Sequence, residues 1–476
     1  MSDPTDMTAT DLLAAYRNGS LSPVEVAQAL LERIDQLDGA YNAFCFADPD
    51  TTLRQARDSE RRWSSGMPQG RLDGVPVAVK DTLATSGWPT RKGSHTSDDG
   101  PGEADAPAVA ALRRHGAVLL GKTTTPEIGW KAVTDSPLTG ITRNPWNPEL
   151  TPGGSSGGSS AALAARMAPL ALGTDGGGSI RIPSSFCNLV GLKPTFGRVP
   201  VWPPSPFGSV SHVGPMARTV TDSALLLSAL GEPDHRDWTC LPPVGPELLV
   251  DLDAGIDGWR VAVSPTLGYA DVDAEVAAIC GRAGEVFAQL GAIVEEPELG
   301  LSDPHDAFEV LWSAGAAHGL RHVTDGAADL LDPGLATLRD RGVGLSALDH
   351  LAAESERARF AARLATLLGR DAVAGDDAGY DLLVTPSVAV PPFAAGRDVP
   401  AQWTDPRWTT WATFSLPFNL TQQPAVSVPC GFTRDGRPVG IQLVGARSAD
   451  ARVLRAARAF ERANPLHDRR PPEPAA

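Results

Sequence analysis

Two glycine-rich loops in this chain carry serine, and an apolar run upstream of them ends in lysine. The first loop is Thr151-Pro-Gly-Gly-Ser155-Ser156-Gly-Gly-Ser159. The second is Gly173-Thr-Asp175-Gly176-Gly177-Gly178-Ser179-Ile-Arg181. The run is Val75-Pro-Val-Ala-Val-Lys80-Asp81. A serine hydroxyl must lose its proton as it attacks, so serine alone is a poor nucleophile. Lysine takes that proton only as a neutral amine, and burial at the end of an apolar strand disfavours the ammonium. Successive amides from Gly176 to Ser179 can converge on one oxygen, and losing one such donor typically costs about 3–4 kcal/mol of transition-state stabilisation. A nucleophile, a relay hydroxyl, an amine base and amide donors together describe a hydrolase of acyl compounds, which needs neither metal nor cofactor.

Other chemistries fit these residues less well. Neither loop continues as Gly-Lys-Ser/Thr, so the phosphate-binding P-loop pattern fails. Gly153-Gly-Ser155-Ser-Gly157 matches the G-x-S-x-G elbow of α/β-hydrolases, which would make Ser155 the nucleophile with a later Asp and His. The pattern is weak inside a glycine/serine run, and no strong apolar strand precedes it. A lone Val-Lys-Asp reads as a lysine snorkelling from a strand end, and the two serine loops reverse that reading for Lys80. His318 and His322 are four apart, a spacing expected to put them on one helix face, with Asp303 and His305 upstream. They lie in an alanine-rich stretch without an acidic partner in the motif, so they read as structural rather than as zinc ligands. Cys187 follows Phe186 and reads as packing.

The elements that must position these groups follow from periodicity and capping. Residues 8–65 read as helical, with a capping-box spacing at Ser22-Pro23-Val24-Glu25 and an apolar face at Val26, Leu30, Ile34 and Leu37. The texture then changes to strands alternating with helices, which implies a sheet covered on both faces. Strands are expected at 75–79, 117–120 and 170–172. Asp105 is expected to cap a helix running to Arg114, with Gly116 at its C′ position. An alanine-rich helix is expected at 158–167. Residues 230–258 read as a surface connection, 260–263 as a strand, 273–290 as a helix and 303–370 as mainly helical. Further strands are expected at 381–385, 426–428 and 439–444, and a last helix at 449–462. The organisation predicted is one domain over 1–476. It comprises N-terminal helices (1–65), a core (66–230), a mainly helical insertion (231–375), the C-terminal part of the core (376–465) and a frayed tail (466–476).

Composition bounds the setting. The chain has 476 residues, 42% of them hydrophobic, and a formal net charge of −16. That acidity argues against nucleic acid or an anionic membrane as a partner. Five scattered cysteines without a CxxC pair fit a reducing cytoplasm. The N-terminus lacks a basic and apolar leader pattern, and no apolar run approaches the roughly 20 residues of a membrane helix. A cytoplasmic protein acting on small molecules, as monomer or homodimer, is expected.

The two loops together resemble the signature of the amidase signature family. Further matches run over nearly the whole chain: Leu72-Asp-Gly-Val-Pro-Val-Ala-Val-Lys-Asp81, Gly121-Lys-Thr-Thr-Thr-Pro-Glu127, Thr142-Arg-Asn-Pro-Trp-Asn147, Val190-Gly-Leu-Lys-Pro-Thr195, Pro424-Ala-Val-Ser-Val-Pro429 and Pro438-Val-Gly-Ile-Gln-Leu-Val-Gly445. The resemblance implies one α/β/α domain around a large mixed, twisted sheet. It implies Ser179 as nucleophile, Ser155 as a relay on a cis peptide bond and Lys80 as base. Gly176, Gly177, Gly178 and Ser179 match the oxyanion-hole amides, and Ser156, Asp175 and Arg181 match the polar shell around the loops. Ile128, Gly129 and Trp130 should line the acyl pocket, with Trp403, Trp408 and Trp411 near its mouth.

Within the family, three branches compare with this chain. Glutaminase subunits of transfer-RNA-dependent amidotransferases usually carry aspartate where this chain has Ala412, seven residues before Asn419-Leu420, so a substrate ammonium would lack its partner. Membrane-associated fatty acid amide hydrolases have an N-terminal anchor that is not seen here. Soluble bacterial-type amidases remain, acting on neutral amides including anilides. Carbamates and esters present the same carbonyl geometry, so a urethane hydrolase fits the residues equally.

Overall fold

Short runs of valine, leucine and alanine with no polar alternation form strands buried on both faces. In the computed structural model, which describes residues 3–369 and 379–473, thirteen strands are β1 (Phe44–Ala47), β2 (Pro76–Lys80), β3 (Val118–Thr123), β4 (Asp135–Ser136), β5 (Gly140–Ile141), β6 (Leu170–Asp175), β7 (Val190–Lys193), β8 (His212–Ala217), β9 (Arg260–Val263), β10 (Ile293–Glu295), β11 (Leu382–Pro386), β12 (Ala425–Phe432) and β13 (Pro438–Val444). Among the described residues eleven of them make one sheet, in the order β1-β3-β2-β6-β8-β7-β12-β13-β11-β9-β10, and β4 and β5 form a separate hairpin. The sheet is mixed. β3, β2 and β6 run parallel, as do β11, β9 and β10, and the strands between them are antiparallel.

This topology decides where chemistry can sit. β2 and β6 are parallel neighbours, with Val79 opposite Leu172, so their carboxyl ends open on the same edge. At the next strand the direction reverses, because β8 pairs antiparallel with β6 as far as Asp175 and His212. A crevice beyond the carboxyl ends of parallel strands, where the order changes, is where open α/β sheets bind ligands. Lys80 ends β2 and Asp175 ends β6, so both stand at that edge of the sheet.

Between them the helix Gly157–Ala164 is buried along its whole length, which polar residues at its start allow only by close backbone approach. A Cβ on Gly157 would lie 2.2 Å from Thr134 Oγ1, and one on Gly158 2.3 Å from Thr124 Oγ1. These glycines are therefore a packing requirement of the first serine loop rather than flexible connectors.

Several expectations are revised. The span 8–65 is not wholly helical: after Asn42 closes a helix in a left-handed conformation, Phe44–Ala47 pairs with β3 as an edge strand. The N-cap of helix Pro107–Arg114 is Ala106, without a side-chain bond. Asp105 instead accepts from Ser86 N at 2.7 Å and Arg113 Nε at 2.9 Å, bracing the loop to the helix. The stretch 273–290 breaks at Arg282 into helices Ala274–Gly281 and Ala283–Gln289. The helix expected at 158–167 is Gly157–Ala164, and the strand expected at 170–172 continues to Asp175. Strands β7, β8 and β10 were not expected. β9 and β10 fall within the span read as a helical insertion and extend the sheet edge. The expected frayed tail is tied down as far as it is described: Asn188 Nδ2 donates to Leu466 O at 2.9 Å, Arg470 pairs with Asp6 at 2.8 Å and Arg469 lies over Phe432. Residues 474–476 of that tail, and 370–375 of the helical span, lie outside the described residues.

Candidate active site

Lys80 is fully buried at the end of β2, and its amine meets three hydroxyls. Nζ lies 2.8 Å from Ser155 Oγ, 2.9 Å from Ser156 Oγ and 2.8 Å from Thr174 Oγ1. Burial drives its pKa well below the usual lysine value, and the negative charge of Asp175 opposes that shift only in part. Ser155 follows a cis peptide bond from Gly154. The two loops touch through the backbone, Ser156 N donating to Ser179 O at 3.1 Å. Ser155 and Ser179 both face one cavity of about 600 Å³, to which Thr174 and Gly176 also contribute.

The hydrogen bonds of Ser156 fix its role toward the amine. Ser156 Oγ donates to Thr174 O at 3.2 Å and accepts from Thr174 N at 3.2 Å. Its remaining lone pair therefore accepts from Lys80. A neutral amine has two N–H groups and one lone pair. One N–H is therefore directed at Ser156, and the second N–H and the lone pair are left for the two hydroxyls at 2.8 Å, Thr174 and Ser155.

Asp175 holds the second loop. Its carboxylate accepts from Gly178 N at 2.8 Å and Ile180 N at 3.1 Å, and from Arg181 through Nε at 2.9 Å and Nη2 at 2.8 Å. Burial alone would raise the Asp175 pKa, but the Arg181 charge and its two bonds hold it far below the usual carboxylate range. Arg181 is itself saturated, donating to Asn419 Oδ1 at 2.6 Å, Gln442 Oε1 at 2.7 Å and Ser415 O at 3.1 Å. The bidentate pair is a buried charge pair with every donor satisfied.

The amides expected to face an oxyanion divide in two. Gly178 N is engaged by Asp175, so the expectation that it binds an oxyanion is corrected. Among the described residues the amides of Gly176, Gly177 and Ser179 have no hydrogen-bond partner. A Cβ on Gly176 would lie 2.8 Å from the Trp312 ring, and one on Gly177 2.8 Å from Trp408, so glycine is needed where aromatic walls press against this backbone.

The cavity walls differ from those expected. Ile128 and Gly129 line it, and Gly129 backs onto the first serine loop, a Cβ there falling 3.2 Å from Ser155 Oγ. Trp130 does not line it. It is packed behind the wall and holds Trp312, whose Nε1 donates to Trp130 O at 3.0 Å. Trp403, Trp408 and Trp411 are also absent from the wall. Trp411 stacks on Phe186, Trp408 meets Trp312 edge-on at 5.8 Å, and Trp403 Nε1 donates to Thr410 Oγ1 at 2.8 Å. The aromatic lining comes instead from Trp202, Phe207 and Trp312, with Phe207 and Trp312 stacked at 3.8 Å. The helix His305–Gly319 ends before His322, so the two histidines do not share a helix face; His322 reaches the cavity wall and His318 does not. Cys187 is buried, and burial pushes its thiol up to about 12, which leaves it unreactive.

Thr174, Asn419 and Gln442 were not expected at the site. Thr174 stands inside the second loop's motif, where its place beside Asp175 was the available signal. Asn419 and Gln442 reach Arg181 from more than 200 residues away, and no local pattern marks them.

Comparison with known proteins agrees with this architecture. The Amidase family model matches residues 25–454. The chain is 36% identical to an acylamidase of Rhodococcus erythropolis over 98% of its own length and 97% of the relative's. It is also 36% identical to a glutamyl-tRNA(Gln) amidotransferase subunit of Myxococcus xanthus, over 98% and 99% of the two chains. Among solved structures, a bacterial aryl acylamidase superposes with TM-score 0.88 at 31% identity, covering 96% of each chain. A 6-aminohexanoate cyclic dimer hydrolase superposes with TM-score 0.86 at 29% identity, covering 98% and 99%. The large mixed sheet covered by helices is thus the fold of the amidase signature enzymes. The chain belongs to the amidase signature family, and it is an amidase.

Proposed function

We propose that this amidase hydrolyses acyl amides, anilides foremost, through an acyl-enzyme on Ser179, with Ser155 relaying protons to and from Lys80. The observation that carries this reading is the fully buried Lys80 amine 2.8 Å from Ser155 Oγ, with Ser156 and Thr174 hydroxyls as its other neighbours. Ser179 attacks the carbonyl carbon and passes its proton through Ser155 to Lys80. The new ammonium sits near Asp175, whose charge favours it. The oxyanion accepts from Gly176, Gly177 and Ser179, donors already in place before the reaction. Ser155 then returns a proton to the leaving amine, and water retraces the route to release the acid. Ser156, Asp175 and Arg181 hold the loops in register.

The aromatic face of Trp202, Phe207 and Trp312 supports flat, apolar substrates, and a cavity of about 600 Å³ suits a small molecule. The acylamidase relative and the aryl acylamidase structure favour the same substrates. Urethanes share the carbonyl geometry and are the second substrate class to assay. The amidotransferase relatives raise another reading, a glutaminase that depends on a partner chain. Against it, Ala412 is buried in an apolar cluster and lies outside the cavity wall.

The test is an assay of the purified chain alone on an anilide, a primary amide, an ester, a nitrophenyl carbamate and glutamine. Turnover of the anilide, lost by ~10⁴-fold or more in Ser179→Ala and strongly reduced in Lys80→Ala, is the expected result. Anilide activity that survives Ser179→Ala contradicts the mechanism, and glutamine turnover only with added partner would establish the amidotransferase reading.

A further inference from the structure

Two buried bases next to the site have no part in the proton relay. Lys193 ends β7, and His212 opens β8 directly opposite Asp175, the last pair before the two strands part. His212 Nδ1 faces two carbonyl oxygens, Val210 O at 2.9 Å and Asp175 O at 3.2 Å. Carbonyls only accept, so Nδ1 must carry the hydrogen, shared between them. That tautomer leaves Nε2 as the ring's acceptor, with Lys193 Nζ 3.4 Å away. Asn419 Nδ2 donates to the same Asp175 oxygen at 3.0 Å. The Asp175 carbonyl and the Gly176 N–H belong to one peptide group. A peptide whose oxygen accepts hydrogen bonds becomes a stronger donor at nitrogen, an effect of perhaps 10–30% per bond.

We infer that His212 is a positioning residue for hydrolysis: with Asn419, it orients and polarises the Asp175–Gly176 peptide, so that the Gly176 N–H is aimed at the oxyanion and donates to it more strongly. The inference rests on the oxyanion reading proposed above. Its effect therefore falls on the transition state, where negative charge develops, and hardly on substrate binding. Phe196 holds the imidazole edge-on at 5.6 Å, and burial, reinforced by the neighbouring Lys193, keeps it neutral, so it acts as a fixed dipole rather than as a titrating base.

The experiment compares wild type, Ser179→Ala, His212→Phe and His212→Gln on an acyl anilide, together with inhibition by a trifluoromethyl ketone that forms a tetrahedral oxyanion adduct. His212→Met replaces the phenylalanine variant if that one does not fold. The expected result is a fall in kcat of about tenfold for His212→Phe, a fraction of what losing a whole oxyanion donor costs. KM should stay within about twofold, inhibitor affinity should weaken in proportion to kcat, and the amide of His212→Gln should restore most of both. A structural role would move melting temperature and KM without this selectivity. A folded His212→Phe with unchanged kcat and inhibitor affinity overturns the inference while Ser179→Ala remains inert. If Ser179→Ala is active, the oxyanion reading itself has failed, and this inference with it.

Discussion

Lys80 concentrates the chemistry in one side chain. Its pKa is pushed down from 10.5 because burial outweighs the charge of Asp175, which is already bonded to Arg181. The sign of the resulting pH effect is fixed. Between the depressed value and 10.5 the unfolded chain binds a proton that the folded chain lacks, so stability rises with pH through that window. Replacement by Lys80→Met removes the titration. Denaturant unfolding measured across that window should show a flatter pH slope in the variant than in wild type; equal slopes would mean that Lys80 is not held neutral. The proposed base was legible in the sequence because an apolar run ending in Lys is unusual beside two serine loops. Thr174, whose hydroxyl lies 2.8 Å from the amine, was not singled out, since a threonine in a strand is ordinary until the neighbouring strand is known.

At the scale of elements, Arg181 is the clamp. From the start of helix Arg181–Phe186 it reaches β6 through Asp175, the helix Leu416–Leu420 through Asn419, and β13 through Gln442. Removing one partner of a buried pair leaves an uncompensated charge, so Arg181→Met is expected to cost about 3–5 kcal/mol in denaturant unfolding. Arg181→Lys should not restore the loss, because a single ammonium cannot reproduce the bidentate fork and the bonds to Asn419 and Gln442. A loss below about 1 kcal/mol would show that the clamp is dispensable. The strands flanking the serine loops were legible because apolar runs between glycines have few other readings. β7 and β8 were missed for a physical reason: β7 has only four residues, with glycine and lysine among them, and histidine, glycine and proline interrupt the apolar pattern of β8. The mistaken cap at Asp105 has a similar origin, since a carboxylate near a helix start satisfies the rule locally while Arg113 and Ser86 claim it in three dimensions.

Over the whole molecule, the site depends on contacts that join distant segments. Lys131 binds Asp135 at 2.7 Å, Asp332 at 3.0 Å and Asp398 at 2.9 Å, tying the wall beside Ile128 and Gly129 to two later stretches. Trp312 comes from the helix His305–Gly319, inside the span that the sequence presents only as helical, and it supplies the cavity face that tryptophans near 403–411 were expected to supply. Aromatic residues carry no local mark of whether they will pack or line, so the pocket was less legible than the loops. The central claim is that Ser179, not Ser155, receives the acyl group. Its most direct test is to mix the protein with a nitrophenyl ester, quench with acid during the burst and map the acylated peptide by mass spectrometry. The account predicts one acyl group on Ser179, absent in Ser179→Ala. Acyl on Ser155, or an unchanged adduct in Ser179→Ala, would contradict it.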